Sequence, residues 1–260
     1  MLNKNTQDKI MEDKQIHYFN RGTIEYNNKQ YQRLAIQTHF IQRNENYLQI
    51  MQTYVAPLIQ AGDILSISEK VISMCQNRTV EKKDVKLGFW AKFLSKFASK
   101  SSAGIGMDEP YKLQLTINLK GLPLVLFASI CAAIGKLVGK RGIFYQIVGK
   151  EIAGIDGFYS ESLFDTYHTL AVLMPENPDK VCDEINKEIG VDAMIVDAND
   201  FGQELWGCSS GLKNYSEKEL MSMIKDNPAG QDDECTPFIL IREEKEEEKN
   251  SETKDALEHP

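Results

Sequence analysis

The sequence has 260 residues, 42% of them hydrophobic, and a formal net charge of −8. A chain of this length and composition can bury one large core or two smaller ones, which excludes a disordered or fibrous protein. The acidic balance argues against a nucleic-acid-binding domain, because such domains usually carry a basic excess.

The five cysteines are scattered along the chain and include no CxxC pair. Such a set argues against a disulfide framework and a structural zinc site, and predicts a reduced, cytoplasmic protein. The longest uncharged stretch, residues 121–135, is too short to span a bilayer, which takes about 20 residues. We therefore expect neither nucleic acid nor a membrane among the partners.

The two ends of the chain are strongly polar. Residues 1–20 show no periodicity, and residues 243–260 form a run of Glu and Lys. These patterns predict a flexible N-terminal arm and a disordered acidic tail. The folded body is then expected to cover residues 21–242, with two lobes.

The first clear element in chain order is a strand over residues 64–67. Ser68 follows as the predicted N-cap of a helix. Lys70 would then lie in the first helical turn, where the helix dipole disfavours a cation. This position suggests a lysine that binds phosphate.

Residues 89–100 carry aromatic side chains at helical spacing, opposite Lys92, Lys96 and Lys100. A helix on a membrane surface has this pattern. A helix that packs on its own core or on a partner subunit is the commoner case, and we favour it.

A glycine-flanked turn then brings together Lys136, Lys140 and Arg141. It is not a P-loop, because its glycine spacing is one residue short and Arg141 replaces the Ser or Thr that would bind magnesium. Its three cationic side chains could still bind phosphate groups. A solvated surface turn is the competing interpretation.

Further along, residues 169–174 are predicted to form a strand. The next helix has Asn177 as its N-cap, Pro178 as its first residue and Gly190 as its stop. A buried strand over residues 193–196 follows. The order of strand, helix and strand predicts a crossover unit within a mixed α/β sheet.

Oxygen-bearing side chains cluster where this last strand is predicted to open into a loop. Carboxylate and amide oxygens are the ligands that magnesium and manganese prefer, and the end of a buried strand is a common ligand site. Turn formation is the competing explanation for Asp and Asn residues in such places. The predicted metal ligands are Asp197, Asn199 and Asp200 at this strand end, together with Asp156 and Glu234 from other segments of the chain.

Two amides, Asn227 and Gln231, are expected to contact the substrate. Pro228 should hold Asn227 extended, and Gly230 should allow a tight turn. Amides donate and accept hydrogen bonds without adding charge, which suits substrate recognition beside carboxylates. An ordinary polar turn before the apolar run 237–241 is the alternative.

Four segments, taken in order, resemble the coenzyme F420-0:γ-glutamyl ligase family. They are residues 62–73, 153–156, 173–179 and 197–202, and together they extend over roughly residues 34–242. The resemblance implies a two-lobed α/β fold, an intertwined homodimer, and GTP with two divalent cations in a cleft. By position it assigns nucleotide contact to Lys70 and metal binding to Asp156 and the 197–202 segment.

The chain also departs from the family pattern. Asp156 is followed by Gly157 and Phe158 rather than by an Asp-x-Ser-Asn pattern. Residues 199–203 read Asn-Asp-Phe-Gly-Gln rather than Asp-Thr-Phe-Gly-Arg. These differences indicate a divergent branch.

The resulting hypothesis is a metal- and nucleotide-dependent amide ligase. GTP or ATP would activate the carboxylate of an acidic small molecule, and L-glutamate or a similar amino acid would then form the amide, with Mg²⁺ or Mn²⁺ as cofactor. Lys70 and Arg141 are the predicted catalytic residues, neutralising phosphate charge. The alternative is a non-catalytic nucleotide- or metabolite-binding protein on the same fold. Binding of nucleotide or substrate is assigned to Ser68, Lys70, Lys140, Asn227 and Gln231.

Overall fold

The structure is a computed structural model that describes residues 16–98, 106–158, 165–199, 202–230 and 234–244. The chain divides into two compact units. Most of the predicted arms, residues 1–15 and 245–260, lies outside the described residues, as do Asp200 and Gln231. Unit 1 lies within Met1–Ile41, Asn46–Ser68 and Asn177–Pro260, and unit 2 within Gln42–Glu45 and Glu69–Glu176.

Strands and helices alternate along the described residues. The strands are β1 Tyr18–Tyr26, β2 Lys29–Ile36, β3 Ile64–Ser68, β4 Thr79–Glu81, β5 Asp156–Gly157, β6 Leu170–Val172, β7 Asp192–Asn199, β8 Gly202–Cys208 and β9 Phe238–Glu243. The helices are α1 Tyr47–Tyr54, α2 Glu69–Cys75, α3 Phe89–Leu94, α4 Pro110–Lys120, α5 Leu122–Leu137, α6 Ile143–Val148, α7 Lys150–Ala153, α8 Asp165–Thr169, α9 Pro178–Ile189 and α10 Glu217–Ser222.

Unit 1 is built on a six-stranded mixed sheet with the order β1-β2-β9-β3-β7-β8. Strands β3 and β7 are parallel, with Ile64 opposite Asp192 and Ser68 opposite Val196. Every other neighbouring pair is antiparallel, and β9 lies between β2 and β3. The mixed α/β fold expected from the sequence is therefore confirmed.

Three predicted elements of unit 1 are confirmed. Residues 64–67 and 193–196 form parts of β3 and β7 and are buried, as their apolar runs require. Helix α9 begins at Pro178 and ends before Gly190, whose φ of 87° is left-handed. Asn177 occupies the N-cap position with a φ of 48° but makes no side-chain capping bond.

The predicted crossover unit is wrong. Strand β6 belongs to a three-stranded antiparallel sheet, β4-β6-β5, whereas β7 belongs to the six-stranded sheet. The parallel partner of β7 is β3, more than a hundred residues earlier in the chain. Local patterns identify each strand but do not show which strands pair, and most of unit 2 lies in sequence between β3 and α9.

Unit 2 combines the three-stranded sheet with helices α2 to α8. Helix α3 continues into a 3-10 turn at Ser95–Phe97 and packs on α4, while α5 packs on α4 and α6. Leu113, Val125 and Ile152 come from three different helices and belong to one core cluster. Across the ranges that the structure describes, no helix is long and apolar enough to cross a membrane.

A buried ion pair fixes the turn that leads into β3. The side chain of Asp63 is 1% exposed and binds Arg242 of β9 at 2.9 Å and 2.8 Å through both of its oxygens. Asp63 also accepts the backbone N–H of Gln60, and Arg242 donates to the carbonyl of Leu58. This double contact ties the start of β3 to the neighbouring strand.

Candidate active site

Two residues that the sequence assigned to phosphate and to metal form one ion pair in unit 2. Lys70 is the second residue of α2, and its Nζ lies 2.5 Å from Oδ2 of Asp156 at the start of β5. Both side chains are about one-third exposed, at 36% and 35%. Asp156 therefore offsets the cost of a cation at a helix start.

The carboxyl group of Asp156 is charged at neutral pH. Desolvation raises its pKa, but the ammonium of Lys70 and the backbone N–H of Gly157 outweigh desolvation and bring the pKa below its ordinary value. The Gly157 N–H donates to Oδ1 at 2.8 Å. A deprotonated, partly exposed carboxylate meets the first requirement for a metal ligand.

Gly157 places Asp156 firmly against β6. Its φ of 108° lies in the range that only glycine adopts readily. A Cβ at this position would lie 2.0 Å from the carbonyl oxygen of Leu170. Any other residue would push β5 away from β6 and move the Asp156 carboxylate.

A second lysine near Asp156 was not predicted from the sequence. Lys112 of α4 is 4% exposed, and its Nζ donates to the carbonyl of Ala153 at 3.5 Å. Burial lowers its pKa to about 8, although Asp156 and Asp108 act in the opposite direction. The sequence shows only a lysine in a helix of mixed polar and apolar residues, and this signal is too weak to assign a role.

Asp197 lies in unit 1, within a strand rather than the predicted loop. Strand β7 continues through Asn199 and pairs with β8, and Asp197 stands directly opposite Glu204. Two carboxylates at facing positions of an antiparallel pair repel each other. Glu204 was missed from the sequence because its position depends on the register of β8.

A small cavity of about 50 Å³ lies near the carboxyl ends of β3 and β7. Its lining includes Ser68, Ala198 and Asn227. The backbone of Asn227 has a φ of 48°, so the extended conformation expected from Pro228 is wrong. Asn tolerates this left-handed conformation, and the Asn227 carbonyl accepts the N–H of Gly230 at 3.1 Å.

Glu234, also in unit 1, forms an ion pair with Arg21 of β1. Asp226, at the start of the same segment, pairs with the buried Arg33 of β2. Two of the predicted metal ligands, Asp156 and Glu234, therefore each contact a cation. A metal at either residue has to replace or rearrange that contact.

The remaining predicted residues are less closely defined. Lys140 and Arg141 lie in the exposed turn between α5 and α6. Asn199 lies at the end of β7, but its side chain is outside the described residues, as are Asp200 and Gln231. Among the residues that are described, no group of three or more His, Cys, Asp or Glu side chains could hold a metal ion.

The family model F420-0:Gamma-glutamyl ligase matches residues 35–200. The chain belongs to this family. A search of the curated proteins found no match.

The F420-0:γ-glutamyl ligase match covers Lys70, Asp156 and Asp197, whereas Asn227 and Glu234 lie beyond it. Membership gives the chain a γ-glutamyl ligase-like function in general terms and places it among enzymes. Within the matched range, the Lys70–Asp156 pair is the arrangement whose chemistry best suits such a ligase.

Proposed function

We propose that this protein joins L-glutamate, or a similar amino acid, to the carboxyl group of an acidic small molecule, using GTP or ATP and divalent metal. The observation that carries the proposal is the Lys70–Asp156 ion pair. Lys70 offers a cation that suits phosphate, and Asp156 offers a carboxylate that suits metal. Their ion pair holds the two side chains next to each other. Both are partly exposed, so a metal–nucleotide complex could supply each with a new partner.

The reaction has two steps. A carboxylate oxygen of the acid attacks the terminal phosphorus of the nucleotide, the nucleoside diphosphate leaves, and an acyl phosphate forms. The amine nitrogen of glutamate attacks the acyl carbon, inorganic phosphate leaves, and the nitrogen loses a proton. Neither step requires a nucleophile from the protein.

Lys70 would neutralise the negative charge of the transferred phosphoryl group. Asp156 would hold a divalent cation in unit 2, and Asp197 with the facing Glu204 would hold one in unit 1. Facing carboxylates suit this role because a cation offsets their repulsion. When bound, magnesium or manganese neutralises negative charge on the nucleotide phosphates.

Thermal unfolding with magnesium and GTP or ATP provides the first test. We expect the melting temperature to rise in the wild type and to stay unchanged in Lys70→Met and Asp156→Asn. Lys120→Met is the matched control, because Lys120 is a lysine of the same unit that pairs with Glu151. Equal shifts in all four proteins would contradict the assignment.

Turnover separates the ligase from a protein that only binds nucleotide. F420-0, the acid in the family name, is the first acid to test. We expect release of inorganic phosphate that requires both the acid and L-glutamate and is lost in Lys70→Met. Nucleotide binding without such release, for F420-0 and a panel of other small acids, would favour the binding protein.

The cellular setting and assembly form part of the same proposal. We place the reaction in the cytoplasm, in line with five cysteines that are all free. We also propose a homodimer, as the family resemblance implies. Light scattering of the purified protein measures this directly, and a monomer at all concentrations would contradict it.

A further inference from the structure

Helix α5 exposes an apolar face that the proposed reaction does not use. The exposed side chains recur at the spacing of one side of a helix, and their exposure ranges from 37% to 87%. The opposite side of the helix contributes Val125 and Ala128 to the core of unit 2. The exposed residues are Leu124, Phe127, Ile130, Ile134, Leu137 and, just beyond the helix, Val138.

Helix α3 of the same unit exposes aromatic rings. Phe89 stacks on Phe93 with ring centroids 5.8 Å apart, and Phe93 also contacts Trp90 and Phe97. All four rings are exposed, while Ala91 and Ser95 are buried beneath them. The aromatic pattern predicted to pack on a core or partner is therefore exposed within this chain.

The sequence segments that contain these two helices carry charges of one sign. Residues 85–98 and 121–150 contain no Asp or Glu and carry seven cations, although the whole chain has a net charge of −8. Lys140 and Arg141 lie directly after the apolar face of α5. The seven cations are Lys86, Lys92, Lys96, Lys136, Lys140, Arg141 and Lys150.

We propose that helices α3 and α5 dock unit 2 on an anionic lipid surface. The apolar side chains would enter the boundary between headgroups and acyl chains, and the surrounding cations would contact lipid phosphates. Lys140 and Arg141, which the sequence assigned to nucleotide phosphate, would then contact headgroups. The proposal does not depend on the proposed ligase reaction.

A second copy of the chain fits these surfaces less well. Pairing α3 or α5 with the same helix of another copy would bring lysines and arginine together without acidic residues from these helices to offset them. Anionic lipid supplies the missing negative charge. The homodimer proposed above would then use a different surface.

The earlier expectation of no membrane partner depended on the lack of a spanning segment. A helix that lies in the plane of the interface does not need to span the bilayer. Helix α5 has 16 residues, and its buried side keeps it attached to unit 2. Peripheral binding is therefore compatible with the described helices being too short or too polar to cross a membrane.

Vesicle flotation tests the proposal with the full chain. The probes are phosphatidylcholine vesicles, alone or with about one-third phosphatidylglycerol. We expect binding to the anionic vesicles that is about tenfold or more stronger than to neutral vesicles and that weakens as salt is raised. Absence of binding to the anionic vesicles would overturn the proposal.

Paired variants test the two parts of the surface. Phe127→Ser with Ile134→Ser should weaken binding to anionic vesicles about tenfold or more, because apolar burial anchors such helices. Tyr18→Ser, which changes an exposed ring of unit 1, is the control. These positions are exposed, so the variants should fold, which circular dichroism checks.

Charge reversal gives the second test. Lys140→Glu with Arg141→Glu should weaken binding to anionic vesicles but have little effect on neutral ones. Lys213→Glu with Lys218→Glu, at exposed positions of unit 1, makes the same change in net charge and serves as the control. Equal loss in both pairs would mean that only overall charge matters and would overturn the assignment to this surface.

Light scattering distinguishes a lipid surface from a second copy of the chain as the partner of α5. If the Phe127→Ser, Ile134→Ser protein is monomeric where the wild type is dimeric, and neither binds vesicles, α5 pairs with a second copy instead. An unchanged oligomeric state together with lost vesicle binding supports the lipid surface.

Discussion

Each unit contains an aspartate paired with a cation, and the two pairs differ in burial. Asp63 and Arg242 in unit 1 are 1% and 19% exposed, and backbone groups complete their contacts. Lys70 and Asp156 in unit 2 are about one-third exposed and meet at 2.5 Å. We therefore expect the Asp63–Arg242 pair to stay intact. The Lys70–Asp156 pair is exchangeable, because each side chain is exposed enough to bind a new partner.

Removing one partner of the buried pair should have the largest effect on stability. Asp63→Ala leaves the Arg242 guanidinium buried without its carboxylate, and we expect the free energy of unfolding to fall by about 3–5 kcal/mol. Urea denaturation measures this change. Glu243→Ala is the control, because Glu243 follows Arg242 in β9 and its ion pair with Lys29 of β2 is exposed, so its loss should have a much smaller effect.

Lys112 should have the next largest effect, which appears as a pH dependence of the free energy of unfolding. Its folded pKa of about 8 lies below the ordinary 10.5, so between these values the unfolded chain binds more protons. The free energy of unfolding, taken relative to Lys112→Met, should therefore rise by up to about 3 kcal/mol from about pH 7 to about pH 10.

The comparison with Lys112→Met removes opposing contributions from other groups. Burial raises the pKa of Cys75 to about 12, which lowers stability as the pH rises above the ordinary value of a thiol. This contribution is common to the wild type and the variant. A flat difference curve for Lys112→Met would contradict the buried-charge assignment.

Breaking the exchangeable pair should affect stability less than function. Lys70→Met should change the free energy of unfolding by less than about 1 kcal/mol, because partly exposed ion pairs contribute little. Nucleotide binding, measured by calorimetry with magnesium present, should be lost. A loss of stability like that of Asp63→Ala, with binding intact, would make the pair structural.

The smallest expected effect concerns the facing carboxylates of unit 1. Asp197→Asn removes one of the two carboxylates, so the upward shift of the melting temperature with magnesium and nucleotide should shrink. The shift should not be lost, because Lys70 and Asp156 are unchanged. An unchanged shift would remove Asp197 from the metal assignment.

Local sequence patterns predicted several elements correctly. Strand β3, helix α9 with Gly190 at its end, and the apolar part of β7 follow from periodicity and from glycine and proline positions. The family resemblance also holds, because the family model covers residues 35–200. These features depend on residues that are close together in the chain.

Features that depend on distant residues were not predictable in the same way. Asp156 follows Lys70 by 86 residues, and neither position indicates that they form an ion pair. The register that places Glu204 opposite Asp197, and the sheet to which β6 belongs, also arise from pairing that local patterns do not encode. The site roles of Lys70, Asp156 and Asp197 remain predictions that the variants above test.

The position of β9 has a consequence for how unit 1 forms during synthesis. It is the last described strand in the chain, yet it separates β2 from β3 near the middle of the sheet. Strands β1 and β2 on one side cannot join β3, β7 and β8 on the other until residues 238–243 have left the ribosome. Pulse-labelled chains released before this point should remain sensitive to protease in unit 1. Until β9 has been synthesised, the unpaired edges of β2 and β3 need protection against aggregation in the cell.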